Sequence, residues 1–458
     1  MTMQPRQKVF RFDLNRCTGC HACQLACAIE NEIASGSWRQ VVTFNEFRHP
    51  GAPVFHLSLA CNHCRDAPCM THCPALAFRK DPSTGAVSLD PERCIGCKYC
   101  SWACPFDAPR YDERAGVMAK CTFCDHRQAE GLEPACVALC PTGALSFGDA
   151  PTTPGVDRVP GFPATEFGPA IRFVPLREGR LPELSAAAGD DATLPPGEMP
   201  GPRPVAKSSL RSEWPLVGFT LVAAALVAVV TASVFGSIGL SAVGFLGVAI
   251  LNMAVSTLHL GHKSRAWRAI LNLRGSWLSR EILLYAGFVG LVAAHWILAP
   301  GGAWLLRLAV PIGFAALYAI DRVYDVVEGE KPFRVHSADV LLTGLLLTAV
   351  LVGNLPIAAL VALVKLFLYQ LRKAEFRRRR RNPRPWWSLL RIGSGFLFPM
   401  AMGLIDPARW SVWALAGTAV AELVDRGEFY LELEVATPQR QMALELERML
   451  HRGVGEDD

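Results

Sequence analysis

The sequence lacks cysteine over most of its length: all sixteen cysteines of the 458 residues lie between Cys17 and Cys140. It also lacks the glycine-rich phosphate loop of nucleotide-binding enzymes and a second large polar domain. The first residues, 1–16, are polar and show neither the apolar core nor the cleavage site of a secretory signal. These absences argue against a nucleotide-dependent catalytic domain and against a secreted, disulfide-linked one.

Charged residues are scarce in long stretches between Trp214 and about Val424, where Leu, Val, Ala, Gly and Phe dominate. We predict eight apolar spans there, each of about 17–21 residues, which is the length that crosses a bilayer. The spans are 215–235, 240–260, 280–298, 303–321, 338–354, 355–371, 388–405 and 409–424. Eight such runs in succession disfavour a buried soluble helix bundle.

The cysteines fall into four groups of four, and the first and third groups share the spacing C-x2-C-x2-C-x3-C. The groups are Cys17, Cys20, Cys23 and Cys27; Cys61, Cys64, Cys69 and Cys73; Cys94, Cys97, Cys100 and Cys104; and Cys121, Cys124, Cys136 and Cys140. In this spacing three thiolates on a tight loop hold one iron–sulfur cluster, and the fourth reaches a second cluster. Sixteen cysteines, at four per cluster, predict four [4Fe–4S] clusters.

Structural zinc is an alternative, because all-cysteine zinc sites also use C-x2-C pairs, but they seldom need three cysteines in one x2-x2 run. A disulfide framework is a second alternative, and the missing signal disfavours it. The histidines between the cysteines are expected to tune the clusters as polar neighbours rather than to bind iron. They are His21, His63, His72 and His126.

Local patterns predict an α+β first domain. Residues 9–15 are typical of a short strand, and residues 77–90 of a hairpin that turns at 81–85. The hairpin separates the second and third cysteine groups, which indicates two ferredoxin-like units with one inserted into the other. We therefore predict four segments: a double ferredoxin-like domain at 1–180, a Pro/Ala/Gly-rich tether at 181–212, an all-α membrane anchor at 213–430 and a cytoplasmic tail at 431–458.

The loop charges predict the orientation of the membrane domain. Lysine and arginine cluster in the loops between spans two and three, four and five, and six and seven, and the last includes Arg377 to Arg381. Positive loops stay in the cytoplasm. We therefore expect a multi-pass protein of the bacterial inner membrane, with the cysteine-rich domain and both termini cytoplasmic. We interpret the Arg377 run as a loop anchor and expect no nucleic-acid partner.

These residues resemble the dimethyl sulfoxide reductase family, the complex iron–sulfur molybdoenzymes. The first domain is similar to the family's four-cluster iron–sulfur subunit, and the membrane part resembles its anchor subunit, so the chain resembles a fusion of the two. The matching strings in the first domain are Arg16-Cys17-Thr18-Gly19-Cys20, Cys61-Asn62-His63-Cys64, Cys94-Ile95-Gly96-Cys97-Lys98-Tyr99-Cys100 and Ala103-Cys104-Pro105. Those in the membrane part are Glu213-Trp214-Pro215-Leu216, Leu258-His259-Leu260-Gly261, Ser276-Trp277-Leu278-Ser279-Arg280-Glu281-Ile282 and Glu422-Leu423-Val424-Asp425-Arg426-Gly427-Glu428-Phe429-Tyr430.

The resemblance implies that each cluster takes its cysteines from a pair of groups. The implied ligand sets are Cys17, Cys20, Cys23 and Cys140; Cys27, Cys121, Cys124 and Cys136; Cys61, Cys64, Cys69 and Cys104; and Cys73, Cys94, Cys97 and Cys100. It further implies that the Cys17 set lies nearest a molybdopterin catalytic subunit and the Cys73 set nearest the membrane.

The resemblance also implies a quinone site in the anchor, with His259 and Glu281 at the family's positions. Both lie at the cytoplasmic ends of spans two and three, and a histidine and a carboxylate can exchange the protons of quinone chemistry. The alternative is a pair that only joins two helix ends. Lys365 and Glu422 are weaker candidates: Lys365 is expected to pair with a neighbour and Glu422 to be solvated near the interface.

The leading hypothesis is an electron-transfer and anchor subunit that relays electrons between menaquinone or ubiquinone and a separate cytoplasmic molybdopterin subunit. The predicted cytoplasmic clusters favour a sulfite dehydrogenase-like or nitrate reductase-like role over a respiratory dimethyl sulfoxide reductase. The alternatives are a redox-driven ion transporter, suggested by Lys365 and Glu422, and a purely structural anchor that has lost its quinone site.

Overall fold

The computed structural model describes residues 7–34, 36–150, 155–177, 210–298, 302–327, 336–378, 385–433, 435 and 437–452. These residues divide into two units, one built from residues 7–177 with 437–452 and the other from residues 210–433. The predicted tether at 181–212 lies outside the described residues up to residue 209.

The first unit is built around nine short strands. They are β1 (Lys8–Asp13), β2 (Gln40–Phe44), β3 (Phe55–Leu59), β4 (Phe78–Lys80), β5 (Val87–Leu89), β6 (Arg110–Asp112), β7 (Val117–Ala119), β8 (Leu145–Asp149) and β9 (Ile171–Val174). β1 is the middle strand of a three-stranded sheet, antiparallel to β8 and parallel to β9. The other strands pair as three antiparallel hairpins, and β4–β5 is the hairpin that the sequence predicted.

Phenylalanines fix the sheet to the cysteine loops. Phe10 and Phe12 of β1 are buried, and the ring of Phe10 meets the edge of Phe123 at 5.2 Å between centroids. Phe123 lies inside the fourth cysteine group, so the packing of β1 holds that loop in place. The five helices of this part are shorter than three turns and follow the loops: α1 (Ala22–Glu30), α2 (Pro68–Thr71), α3 (Tyr99–Ala103), α4 (Asp125–Ala129) and α5 (Ala135–Ala138).

The second unit is helical. Its α-helices are α6 (Leu210–Val234), α7 (Ala242–Ser256), α8 (Trp277–Leu298), α9 (Trp304–Val323), α10 (Val340–Val352), α11 (Leu355–Arg378), α12 (Pro385–Ile392), α13 (Phe398–Ile405) and α14 (Trp410–Glu432). Short 3₁₀ helices cover Thr257–His259, Lys263–Ile270, Tyr324–Val326 and Pro407–Arg409, and a π-helical turn, Gly393–Leu397, joins α12 to α13. A core of small and apolar side chains, including Ala223, Phe288 and Ala316, lies between α6, α8 and α9.

Helices occupy all eight predicted spans, but within the described residues six are long and apolar enough to cross a membrane. The six are Glu213–Val234, Ala242–His259, Trp277–Leu298, Trp304–Val326, Leu355–Ala374 and Pro385–Ile405. α10 is apolar but has only 13 residues, and α14 carries charged residues on its inner face. Six membrane-length helices are therefore supported, and the count of eight stays a prediction.

The boundary between spans five and six is sharp in the structure. α10 ends at Gly353, which has a φ of 79°, and the N–H groups of Gly353 and Asn354 bond to the carbonyls of Val350 and Ala349. This is a glycine-terminated helix end, because a left-handed residue without a side chain satisfies the last carbonyls. Span seven, in contrast, is interrupted by the π-helical turn.

The last helix, α15 (Pro438–Arg452), belongs to the first unit, within the segment that we named a cytoplasmic tail. Met442 and Leu446 on its inner side are buried. The N–H of Gly161 donates to the carboxylate of Glu445, and Gly161 packs directly against Met442. The described part of the segment is therefore a docked helix.

Gly417 of α14 offers a test of this packing. A Cβ at that position would press on the backbone carbonyl oxygen of Ser394 in the π-helical turn, which cannot move aside as a side chain would. Alanine in a helix gains about 0.5–1 kcal/mol over glycine, whereas overpacking a core costs about 1–3 kcal/mol. We expect Gly417→Ala to lower the melting temperature of the detergent-solubilised protein.

The matched control is Gly290→Ala on α8, because a Cβ there would have open space around it. We expect this variant to melt at or above the wild-type temperature. Equal melting temperatures for both variants would contradict the contact between α14 and the π-helical turn.

Candidate functional site

The four cysteine groups share one backbone turn. In each group the residue two positions after the first cysteine has a positive φ, and its N–H donates to the sulfur of that cysteine. These residues are Gly19, His63, Gly96 and Phe123, with φ of 70°, 40°, 70° and 66°. The N···S distances are 3.4 Å to Cys61, 3.4 Å to Cys94 and 3.5 Å to Cys121, and Gly19 bonds to Cys17. Each loop therefore turns back to stabilise negative charge on its first sulfur.

Electrostatic interactions between the thiols run mainly within four sets, each drawn from two groups. We name them the first set (Cys17, Cys20, Cys23, Cys140), the second set (Cys27, Cys121, Cys124, Cys136), the third set (Cys61, Cys64, Cys69, Cys104) and the fourth set (Cys73, Cys94, Cys97, Cys100). Two interactions cross between sets: Cys121 with Cys61, and Cys100 with Cys69. The second, third and fourth sets are therefore neighbours in that order.

Two of the sets surround open space. The cysteines of the first set line a pocket of about 320 Å³, and those of the third set line a pocket of about 340 Å³. None of the sixteen cysteines forms a disulfide. Thiols that converge on a shared space, with backbone N–H groups already bonded to sulfur, fit a group that is bound at its centre.

Burial keeps most of these thiols protonated when no metal is present. It raises the pKa of Cys97 to about 12 and the pKa of Cys136 to about 11, and it also raises the pKa of Cys64. At neutral pH such thiols remain neutral unless a metal displaces the proton, so metal binding releases protons. Cys140 behaves differently: burial alone would raise its pKa, but bonds from Leu145, Thr142 and Ala144 lower it.

Two buried cations lie among the thiols, and sequence reasoning missed both. Arg39 and Lys120 are 1% and 3% exposed. Lys120 directly precedes Cys121, and this adjacency in the sequence could have indicated a cation beside the thiols. Nothing local marks Arg39, because it lies one residue before β2 and far in sequence from any cysteine.

The predicted quinone-site residues lie on different elements of the helical unit. His259 ends the 3₁₀ helix that follows α7 and is half-buried, whereas Glu281 lies on the second turn of α8 and is buried. Asp321 of α9 lies close enough to Glu281 to act on its charge. The hydroxyl groups of Tyr324 and Tyr430 share a hydrogen bond, and both tyrosines interact electrostatically with Glu281.

Arg426 is the cation of this region, and sequence reasoning missed its role. Its side chain is 2% exposed, and its charge acts on Tyr324, Tyr430 and Asp321. Its Nε and Nη2 atoms have no hydrogen-bond acceptor among the described residues. A buried guanidinium with unused donors is costly, so it marks a place where an acceptor could bind.

α14 carries a row of acidic residues that pair with basic residues of α11 and α12. The pairs are Lys365–Glu422 at 3.1 Å, Arg372–Asp425 and Arg391–Asp425 at 2.8 Å, and Lys373–Glu428 at 2.8 Å. The expectation that Lys365 pairs with a neighbour is confirmed. The expectation that Glu422 is solvated is wrong, because its side chain is buried against Lys365 and the hydroxyl of Thr343.

Comparison with known proteins places the first unit in a family. Residues 53–150 match the model of a 4Fe-4S dicluster domain. The protein is 41% identical over 151 residues to a chain of the anaerobic dimethyl sulfoxide reductase of Escherichia coli (strain K12), an alignment that covers 30% of this protein and 72% of the relative.

Two further relatives are named as subunits of enzymes for other sulfur compounds. The thiosulfate reductase electron transfer subunit of Salmonella typhi is 42% identical over 146 residues, which cover 31% of this chain and 76% of the relative. A subunit of the sulfite dehydrogenase of Allochromatium vinosum is 38% identical over 159 residues, which cover 30% of this chain and 66% of the relative. A region with six membrane-length helices is fused to the iron–sulfur unit. Through that iron–sulfur unit, the chain belongs to the family of iron–sulfur electron-transfer subunits of dimethyl sulfoxide reductase and related oxidoreductases.

Proposed function

We propose that the chain relays electrons between a membrane quinone and a separate catalytic subunit through four [4Fe–4S] clusters held by its sixteen cysteines. The observation that carries this proposal is the order of the cysteine sets. Cys121 interacts with Cys61 and links the second set to the third, and Cys100 interacts with Cys69 and links the third to the fourth. Arg39 interacts with Cys23 and Cys136 and so lies between the first set and the second. A row of adjacent redox sites is what a relay requires.

The sulfur environment supports clusters rather than single metal ions. Within the described residues, no group of three or more Cys, His, Asp or Glu side chains is close enough to hold one ion. The wider spacing of the thiols around pockets, as for Cys17 and Cys140, suits a multi-iron group. A bound [4Fe–4S] cluster supplies a one-electron couple whose potential depends on hydrogen bonds to sulfur and on burial. The chain contributes those bonds through its positive-φ N–H donors.

In this proposal His259 and Glu281 take up and release the protons that accompany quinone chemistry. Glu281 is a buried carboxylate, which at membrane depth is expensive and so marks a functional site. The unused N–H groups of Arg426 would donate to a quinone oxygen, and the bonded hydroxyls of Tyr324 and Tyr430 lie close enough for the charge of Arg426 to act on them.

The catalytic chemistry is assigned to a partner, because the described residues form an iron–sulfur unit and a helical unit. The names of the relatives point to subunits of sulfur-compound oxidoreductases, and we propose a molybdopterin subunit as the partner. The loop charges support a location in the bacterial inner membrane, with the iron–sulfur unit and both termini in the cytoplasm.

The pairing of Lys365 with Glu422 bears on the ion-transport alternative. Each charge is neutralised by the other inside the helical unit, and this supports a role in joining α11 to α14. Proton uptake by proteoliposomes that continues without quinone would instead favour transport.

Our first prediction concerns the pairing of cysteine groups. Cys17→Ser and Cys140→Ser should disturb the same EPR component, because both belong to the first set despite their separation in sequence. Cys27→Ser is the matched control: it shares a motif with Cys17 but belongs to the second set, so it should disturb a different component. Iron analysis of the intact chain should give sixteen iron atoms, four for each of four sets.

A shared signal for the Cys17 and Cys27 variants would contradict this pairing. About one iron atom for every four cysteines would instead indicate four rubredoxin-like single-iron sites, and zinc in place of iron would indicate structural zinc sites.

Our second prediction concerns the quinone site. His259→Leu and Glu281→Gln should slow cluster reduction by quinol about 100-fold or more, since general acid–base groups contribute on that scale. Stopped-flow bleaching of the iron–sulfur absorbance measures the rate. Reduction by dithionite should be unchanged, because it bypasses the quinone site.

The matched control is His295→Leu, which removes a histidine near the opposite end of the helix that carries Glu281. Its quinol rate should equal that of the wild type. Unchanged quinol rates for both His259→Leu and Glu281→Gln would leave the purely structural anchor as the better interpretation.

A further inference from the structure

Arg39 lies buried between the first and second cysteine sets. Its Nη1 donates to the carbonyl oxygen and to the hydroxyl of Ser58, both at 3.1 Å, and that hydroxyl lies 3.3 Å from the sulfur of Cys23. Its charge acts most strongly on Cys136, and then on Cys23 and Cys121. The guanidinium therefore touches the environment of both sets at once.

Lys120 occupies the equivalent position between the second and third sets. Its ammonium group donates to the carbonyl oxygens of Val87 and, at 3.0 Å, of Cys121. The same group bonds to the sulfur of Cys61 and acts electrostatically on Cys69 and Cys121.

Neither cation has a carboxylate partner. Among the described residues, Asp and Glu side chains form no salt bridge with Arg39 or Lys120, and the guanidinium of Arg39 instead bonds to the sulfur of Cys136. A buried charge without a counter-charge is strongly destabilising. The negative groups beside both cations are the cysteine sulfurs, so the counter-charge must come from those sulfurs and from what they bind.

His63, which lies between the two cations, adds no charge. Its Nδ1 accepts the N–H of Val87 at 2.9 Å, and its ring lies against Phe123 with centroids 3.5 Å apart. A ring nitrogen that accepts a hydrogen bond carries no proton, so the imidazole of His63 is neutral. The fixed positive charge inside this region is therefore that of Arg39 and Lys120.

We propose that Arg39 and Lys120 are fixed counter-charges placed between successive clusters, and that they raise the reduction potentials of the three clusters they flank. This inference rests on the proposed function, since it requires clusters in the four sets. A positive charge stabilises the reduced form of a neighbouring couple, and it does so strongly in a medium of low polarity. The second set, with a cation on either side, receives the largest effect.

The fourth set has a different environment. The largest influences on Cys73, Cys97 and Cys100 are burial, backbone N–H groups and other thiols. The proposal therefore predicts that the potential of the fourth set changes in neither cation variant.

The experiment is an EPR-monitored redox titration of the full-length protein in detergent, with dithionite as reductant and soluble mediators. Each couple takes up one electron, and no bond is made or broken.

In Arg39→Gln, the first and second sets should shift to lower potential while the third and fourth stay in place. In Lys120→Met, the second and third sets should shift while the first and fourth stay. At the wild-type midpoint we expect at least a tenfold fall in the ratio of reduced to oxidised form, equivalent to 59 mV for one electron.

Lys80→Met is the matched control. Lys80 donates to the carbonyl oxygen of Cys64 at 2.9 Å and so lies beside the third set, but its ammonium group is partly exposed to water. Solvent screens such a charge, and its removal should change the third potential much less than Lys120→Met does. Arg39→Lys keeps the charge without the guanidinium and should restore most of the potential that Arg39→Gln loses.

The outcomes separate this inference from the proposed function. Fewer than four EPR components, or fewer than sixteen iron atoms in the wild type, would overturn the four-cluster proposal. Four components with unshifted potentials in both cation variants would overturn only the role of Arg39 and Lys120. Equal shifts of all four components, or an Arg39→Lys variant that behaves like Arg39→Gln, would show a general structural effect and would also overturn it. If one cation variant loses iron, the other decides: unshifted potentials in the two sets that flank the remaining cation site contradict the proposal.

Discussion

The need to hold many sulfur atoms in a small, mostly buried volume governs the whole first unit. Thiolates are stable there only where something offsets their charge, and the chain offers backbone N–H groups at four equivalent turns. Those turns require positive φ, and two of them use His63 and Phe123 rather than glycine, so packing must hold the strained backbone. The phenylalanine contacts of β1 supply that packing, which explains why so small a sheet lies at the centre of the unit.

The helical unit also has to offset buried negative charge, but it does so with basic side chains instead of backbone N–H groups. Here the charges belong to side chains, and each acidic residue facing inward from α14 is matched by a basic residue of α11 or α12. Successive spacings of three residues place Glu422, Asp425 and Glu428 on one face of the helix. This matching explains why α14 carries too many charged residues to count as a membrane-length apolar helix and yet packs inside a bundle. The matching does not extend to Arg426, whose Nε and Nη2 have no acceptor among the described residues.

Sequence reasoning was strongest where the information is local. The strand at residues 9–15, the hairpin at 77–90, the end of α10 and the grouping of cysteines all follow from spacing and turn residues. It failed where burial depends on partners far away in the chain. Glu422 looked solvated because its distance from Lys365 in sequence hides their contact, and Arg39 looked ordinary because its neighbours arrive from β3 and from the fourth group.

The docking of α15 has a consequence for the number of membrane crossings. The chain leaves the first unit before α6 and rejoins the same unit after α14, where Glu445 and Met442 meet Gly161. If the six membrane-length helices cross a bilayer, a chain that returns to the unit from which it departed crosses it an even number of times. Six and eight crossings satisfy this parity and seven does not, so the proposed topology requires α10 and α14 either both to cross or both to stay on one side.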